Sequence, residues 1–98
     1  MATIIGFSKW TDQGVRNYRE TVDRLEQAKE LAKRFDAEIT ATYWTPGGPY
    51  DMITVLEASD TRKAAALALQ VEALGNLRMM RVEAYGPDEM RKVISASG

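Results

Sequence analysis

The chain contains no cysteine and no histidine. Without cysteine there is no disulfide framework, the usual state of a protein kept in a reducing compartment, and a cytoplasmic location is the expectation. Without histidine the common Zn and Cu sites fall away, as does every Ser/His or Cys/His nucleophile pair. Neither a metal nor a cofactor is expected. Charge of one sign is also missing: 13 Lys and Arg stand against 14 Asp and Glu, for a net charge of -1. Nothing here provides the basic field that a phosphate backbone requires, so nucleic acid is not an expected partner. No apolar run approaches the roughly 18 residues of a membrane span, and no basic segment followed by a long apolar one opens the chain. Neither a membrane nor an export signal is expected.

What is present is an ordinary globular composition, 45% hydrophobic and 28% charged over 98 residues. That length supports one core and not two, so residues 1–98 read as a single domain. Thr3 to Lys9 is rich in β-branched and aromatic types and runs into a turn-like stretch, Trp10 to Asn17. From Thr21, apolar residues recur at Val22, Leu25, Ala28, Leu31, Ala32 and Phe35, the three-and-four spacing of a helix with one buried stripe. Its opposite face carries Glu20, Arg24, Glu26, Glu30, Lys33 and Arg34, the pattern of a solvated surface. Glu38 to Thr45 and Asp51 to Glu57 read as strands joined by a loop containing Pro46, Gly47, Gly48 and Pro49. Asp60 is a helix N-cap and Gly75 the matching terminator, so a second helix spans roughly Thr61 to Leu74. Leu77 to Tyr85 reads as a fourth strand and Asp88 to Ile94 as a short last helix.

The order β-α-β-β-α-β is that of a ferredoxin-like α+β fold, a four-stranded antiparallel sheet with two helices on one face. Alternation along the strands divides their residues into two sets. Ile5, Phe7, Ile39, Ala41, Tyr43, Ile53, Val55, Met80 and Val82 are expected beneath the helices. Ile4, Gly6, Ser8, Trp10, Thr40, Thr42, Trp44, Met52, Thr54, Leu56, Met79, Arg81 and Glu83 are expected on the bare face. The second set is too apolar to stand in water, so self-association through the open sheet face, as a homodimer or higher oligomer, is expected. On the second helix, Ala65, Ala66, Leu69 and Ala73 face away from Leu67, Val71 and Leu74, which suggests either a further covered surface or simply a strong helix former. With the first and third strands taken as central and parallel, Trp10 and Tyr50 are expected at opposite ends of one subunit's sheet.

Three stretches carry a family resemblance: Trp-Thr-Asp-Gln-Gly-Val-Arg-Asn at Trp10 to Asn17, Tyr-Trp-Thr-Pro-Gly-Gly-Pro-Tyr-Asp at Tyr43 to Asp51, and Leu-Gly-Asn-Leu-Arg at Leu74 to Arg78. They resemble the GYD family of small bacterial and archaeal proteins. Two departures stand out: Trp10 replaces a more usual Phe, and Pro49 separates Gly48 from Tyr50. The resemblance implies a dimeric α/β-barrel relative in which two sheets pack face to face. It implies no reaction, and by analogy some proteins of that architecture are small-ligand binders or cofactor-independent oxygenases.

The candidate ligand-binding residues are Trp44, Tyr50, Asp51, Asn76, Arg78, Arg16 and Asn17. Tyr50 and Asp51 stand where the glycine-rich loop enters a strand, a position from which functional groups are often displayed; equally, Asp51 can tie the loop amides and Tyr50 can be an anchor. Trp44, across the hairpin, offers an aromatic wall or plain packing. Arg78, with Asn76 beside it after the second helix, can hold a carboxylate through its fork of donors or can pair with Glu57 or Glu83. Arg16 and Asn17 are polar loop residues before the first long helix. No nucleophile or acid-base constellation is evident, so the expected function is binding of a small molecule by a homo-oligomer. The alternatives are a cofactor-independent oxygenase on an aromatic substrate, and a ligand-free structural or regulatory oligomer.

Overall fold

A computed structural model describes all residues, Met1–Gly98. Strand β1 (Ala2–Trp10) leads into a short helix α1 (Asp12–Arg16), a single 3-10 turn at Tyr18–Glu20, and the long helix α2 (Thr21–Lys33). The hairpin of β2 (Ala37–Trp44) and β3 (Met52–Ala58) follows, then α3 (Thr61–Ala73), β4 (Leu77–Ala84) and α4 (Pro87–Ala96). The sheet order is β2-β3-β1-β4 with every neighbouring pair antiparallel. This is the expected ferredoxin-like α+β plan.

Local chemistry sets the element ends. Asp60 caps α3 by accepting the Arg62 N–H at 2.8 Å, and Gly75 ends it with φ +85°, a left-handed conformation open to glycine at no steric cost. The stretch expected as a turn after β1 is instead a short helix. Thr11 caps it, its Oγ1 accepting the Gly14 N–H at 3.0 Å. Gly14 is there for closeness rather than for turning: a Cβ on it would lie 2.1 Å from the Asn76 carbonyl oxygen. That contact presses α1 against the α3–β4 turn, where the Thr11 N–H donates to the same carbonyl at 3.1 Å.

Two expectations about the sheet are corrected. First, β1 and β3 are antiparallel, with Ser8 opposite Met52. The end of β1 and the start of β3 therefore lie at the same end of the sheet, and Trp10 and Tyr50 are not at opposite ends. Second, the faces are exchanged. Ile4, Gly6, Ser8, Met52, Thr54, Leu56 and Met79 lie under α2 and α3, whereas Ile5, Phe7, Ile53, Val55, Met80 and Val82 form the open face. Opposed residues of an antiparallel pair share a face, so the register carries the assignment from strand to strand. Strand β2 belongs to both sets, because its register shifts between Ile39 and Ala41. Ile39 sits opposite Leu56 and faces the helices; beyond the bulge Ala41 and Tyr43, opposite Val55 and Ile53, face outward.

The physical reason is that both faces of these strands are apolar, and period-two alternation has no sign. The handedness of the two crossovers places the helices on one side. The face left uncovered is the more apolar of the two. Only 11 of 98 residues are buried, and the closed core is confined to one end: Ile4, Ala32, Ala37, Ala58, Ala64 and Leu67. Small alanines let α2 and α3 approach the sheet there. Asp36, in the left-handed region at φ 52°, reverses the chain between α2 and β2 and is held by an ion pair to Lys63. On α3, Leu69 is 70% exposed, and Leu74, expected on the opposite and packed side, is 62% exposed because it stands past the end of the helix.

Candidate functional site

All seven residues singled out in the sequence gather at one end of the sheet, where β1 and β2 finish and β3 and β4 begin. They do not form one site. Trp44 is half-buried opposite Met52 on the helix side, and its Nε1 donates to Thr21 Oγ1 at 3.0 Å, tying the hairpin to the first turn of α2. Tyr50 sits on the other side, its ring 5.1 Å from that of Phe7. Asp51 is a fastener: its Oδ2 accepts the Trp10 N–H at 2.9 Å and its own N–H donates to the Ser8 carbonyl at 2.8 Å. Arg78 is exposed and stands opposite Lys9, with no bond to either Glu57 or Glu83; Glu57 instead accepts from Thr3 Oγ1 and Glu83 from Tyr85. Asn76 takes a hydrogen bond from Gln13 Nε2 at 3.0 Å, and Asn17 donates from Nδ2 to the Gln13 carbonyl at 3.1 Å. Arg16 lies exposed on the last turn of α1.

Between the two helices and the sheet, next to this cluster, is a cavity of about 700 Å³. It exists because the sheet floor is hollow at its centre. Gly6 lies between Thr54 and Arg81 in the register and carries no side chain. The nearest atom to a Cβ built there is Met79 Sδ, at 3.8 Å. At the closed end the walls are hydrocarbon, with Ile4 and Leu56 in the floor and Leu31 and Leu67 on the helices. At the end where β1 finishes the lining turns polar, with Ser8 in the floor, Asn76 after α3, and Glu20, Thr21, Asp23 and Arg24 around the start of α2.

Two groups in this lining are unpartnered. Ser8 is 1% exposed, and its hydroxyl has no hydrogen-bond partner. Such a group costs about 1–3 kcal/mol, so its presence calls for a reason. Arg24 has its Nε out of solvent and unpartnered, while its Nη2 donates to the Asn17 carbonyl. No cluster of three acidic side chains converges as a metal site would require, and no helix is long and apolar enough to cross a membrane.

Of the cavity residues only Asn76 was singled out from the sequence. Ser8, Gly6, Thr54, Arg24 and Arg81 were assigned to a bare sheet face or to a solvated helix face. The available signal was the run of small residues at Gly6 and Ser8 on one face of an otherwise bulky strand, which hollows whichever side it faces.

The family model described as the GYD domain matches residues 5–94, and the chain belongs to that family. A relative from Thermus thermophilus, named "Glutamine synthetase and cystathionine beta-lyase binding protein", is 32% identical over 85 residues, which cover 86% of this chain and 88% of the relative. No solved structure matches the chain.

Proposed function

Starting from its membership of the GYD family, we propose that this protein is a homodimer that binds a small molecule in the cavity between its helices and sheet. The observation that carries the reading is the cavity itself: about 700 Å³ of largely apolar space, bordered by an unpartnered buried hydroxyl, in a chain of 98 residues. Ligand sites are concave, mostly apolar and equipped with a few polar groups, and their volumes run from about 300 to 1,000 Å³. Leaving such a hollow unfilled forfeits packing that a small domain can ill spare. Of the residues singled out in the sequence, Asn76 belongs to this site and Trp44 supports its mouth through Thr21. Asp51 holds the adjoining loop, and Asn17 accepts the Arg24 guanidinium.

The dimer is supported by surface that has no cover. A compact monomer of 10.9 kDa exposes about 5,600 Å², whereas this chain exposes 6662 Å². The excess of about 1,100 Å² exceeds the roughly 800 Å² that each partner contributes to a standard interface. The radius of gyration, 14.4 Å against about 12.6 Å for a compact chain of this length, reflects the wholly exposed helix α4 as well as the open sheet. The open sheet face supplies a continuous patch from Ile5, Phe7, Ile53, Val55, Met80 and Val82. Native mass spectrometry should give a dimer, and Val55→Asp should give a monomer that retains its helix content. A wild-type monomer at micromolar concentration would remove the dimer from the proposal. Isothermal titration against a small-molecule panel tests the cavity, and no binder that loses affinity on Gly6→Val would remove that part.

A second reading is favoured by the Thermus relative, whose name describes a binding protein for glutamine synthetase and cystathionine beta-lyase. On that reading the chain docks on metabolic enzymes, and the cavity ligand tunes the docking. Surface plasmon resonance against glutamine synthetase and cystathionine β-lyase from the same organism decides it; the absence of saturable binding to either one rejects it. Oxygenase chemistry on an electron-rich aromatic bound in the same cavity is tested by oxygen uptake with a panel of phenols.

A further inference from the structure

The cavity changes character along its length, and this gradient names the chemical class of the ligand, given that the cavity is the binding site. The closed end is hydrocarbon, formed by Ile4, Leu56 and Leu67. The other end is fixed in place by Trp44: its bond to Thr21 puts the start of α2 over the row of the sheet that contains Met52 and Ser8. Arg24 follows Thr21 by one turn, so its guanidinium and the Ser8 hydroxyl belong to the same end of the cavity. Both have a donor without a partner, Arg24 through Nε and Ser8 through Oγ. The Asn17 carbonyl holds Arg24 Nη2 and so restricts where the rest of the fork points.

Free donors at one end of a hydrocarbon slot, one of them cationic, match an acceptor-rich anion with an apolar body. We propose that the cavity takes an apolar monocarboxylic acid, its chain or ring against Ile4, Leu56 and Leu67 and its carboxylate at Arg24 and Ser8. Glu20 and Asp23 also face the rim, but they are exposed and screened by solvent, whereas Arg24 is half-buried. The closed end offers only hydrocarbon and no donor for a second anionic group, which is why the class is monocarboxylic. Arg81, opposite Gly6, adds a second cation on the β4 side. Met52 and Met79 flank Ser8 in the register, and such flexible side chains can shift to uncover its hydroxyl.

The test compares decanoate with decanol, a pair that shares the tail and differs in the head, by calorimetric titration of the purified protein below their aggregation limits. Decanoate is expected to bind at least about tenfold more tightly, a difference of about 1.4 kcal/mol. Arg24→Gln should remove that difference while leaving decanol unchanged, and Arg24→Lys should restore part of it. Gly6→Val places a side chain in the hollow and should weaken both ligands. Melting curves establish that each variant is folded. Equal affinity for the two ligands, or a difference that survives Arg24→Gln, overturns the carboxylate assignment and leaves the cavity reading standing. If Gly6→Val leaves both affinities unchanged, or neither molecule binds, the proposal falls, and in the first of these cases the cavity reading falls with it.

Discussion

Replacing Ser8 with alanine is expected to make this protein more stable. Ser8 lies in β1 between Met52 and Met79, 1% exposed, and its hydroxyl finds no acceptor or donor. Burying such a group without a partner costs about 1–3 kcal/mol, and Ser8→Ala removes the group while keeping the Cβ. The substitution also deletes one oxygen's worth of van der Waals contact. That loss is small because the residue already borders a cavity, where one side has few atoms to touch. The net expectation is a gain of about 1 kcal/mol, which for a domain of this size raises Tm by about 4–8 °C. The assay is thermal or urea unfolding of both proteins at one protomer concentration, since the proposed dimer would make Tm concentration-dependent. A stability gain accompanied by weaker binding of a carboxylate ligand would mark Ser8 as a residue kept for function at the expense of stability. Loss of 1 kcal/mol or more on substitution, on the order of one good hydrogen bond, would refute the reasoning, because the hydroxyl would then be bonded in the folded protein.

Gly14→Ala places a methyl group 2.1 Å from the Asn76 carbonyl oxygen, part of the backbone, so α1 must move; a loss of about 2 kcal/mol or more is expected in urea unfolding, and an unchanged midpoint would show that α1 does not press on the α3–β4 turn. Asp51→Ala removes the acceptor of the Trp10 N–H, and a loss of about 1–2 kcal/mol should come with faster amide exchange at Trp10; Asp51→Asn, which retains an acceptor oxygen, should lose less. The Tyr85 hydroxyl donates to Glu83 Oε2 at 2.9 Å, and this bond and the carboxylate's charge raise the phenol above its ordinary value of 10.0. A raised folded pKa means that the contribution to stability is present below the unfolded pKa near 10 and is lost as pH climbs through the folded one. Ultraviolet titration should show one tyrosine ionising late, and Glu83→Gln should bring it back; a Tyr85 that titrates normally in the wild type would dismiss the bond.

Most of the local structure could be read from single residues. Asp60 and Gly75 mark the ends of α3 because a carboxylate satisfies first-turn N–H groups and glycine tolerates positive φ. The Pro-Gly-Gly-Pro loop separates two β-branched runs, and both faces of the sheet are visibly apolar in the strand residues. The family, too, was legible in three short stretches of the chain. What waited for tertiary structure was every statement with a sign. Which face meets the helices depends on the parity of Ile4 against Ile5, and alternation alone is the same for both. Strand β2 changes parity at a single bulge, between Ile39 and Ala41, and a one-residue slip leaves no mark in a pattern of period two. The antiparallel course of β3 beside β1 brought Trp10, Trp44, Tyr50, Asp51 and Asn76 to one end, then divided Trp44 from Tyr50 across the sheet. The cavity is the most tertiary feature of all. It arises because Gly6 and Ser8 are small on the face that the helices span, and whether small side chains leave a hollow or merely a shallow surface is decided by what is packed above them.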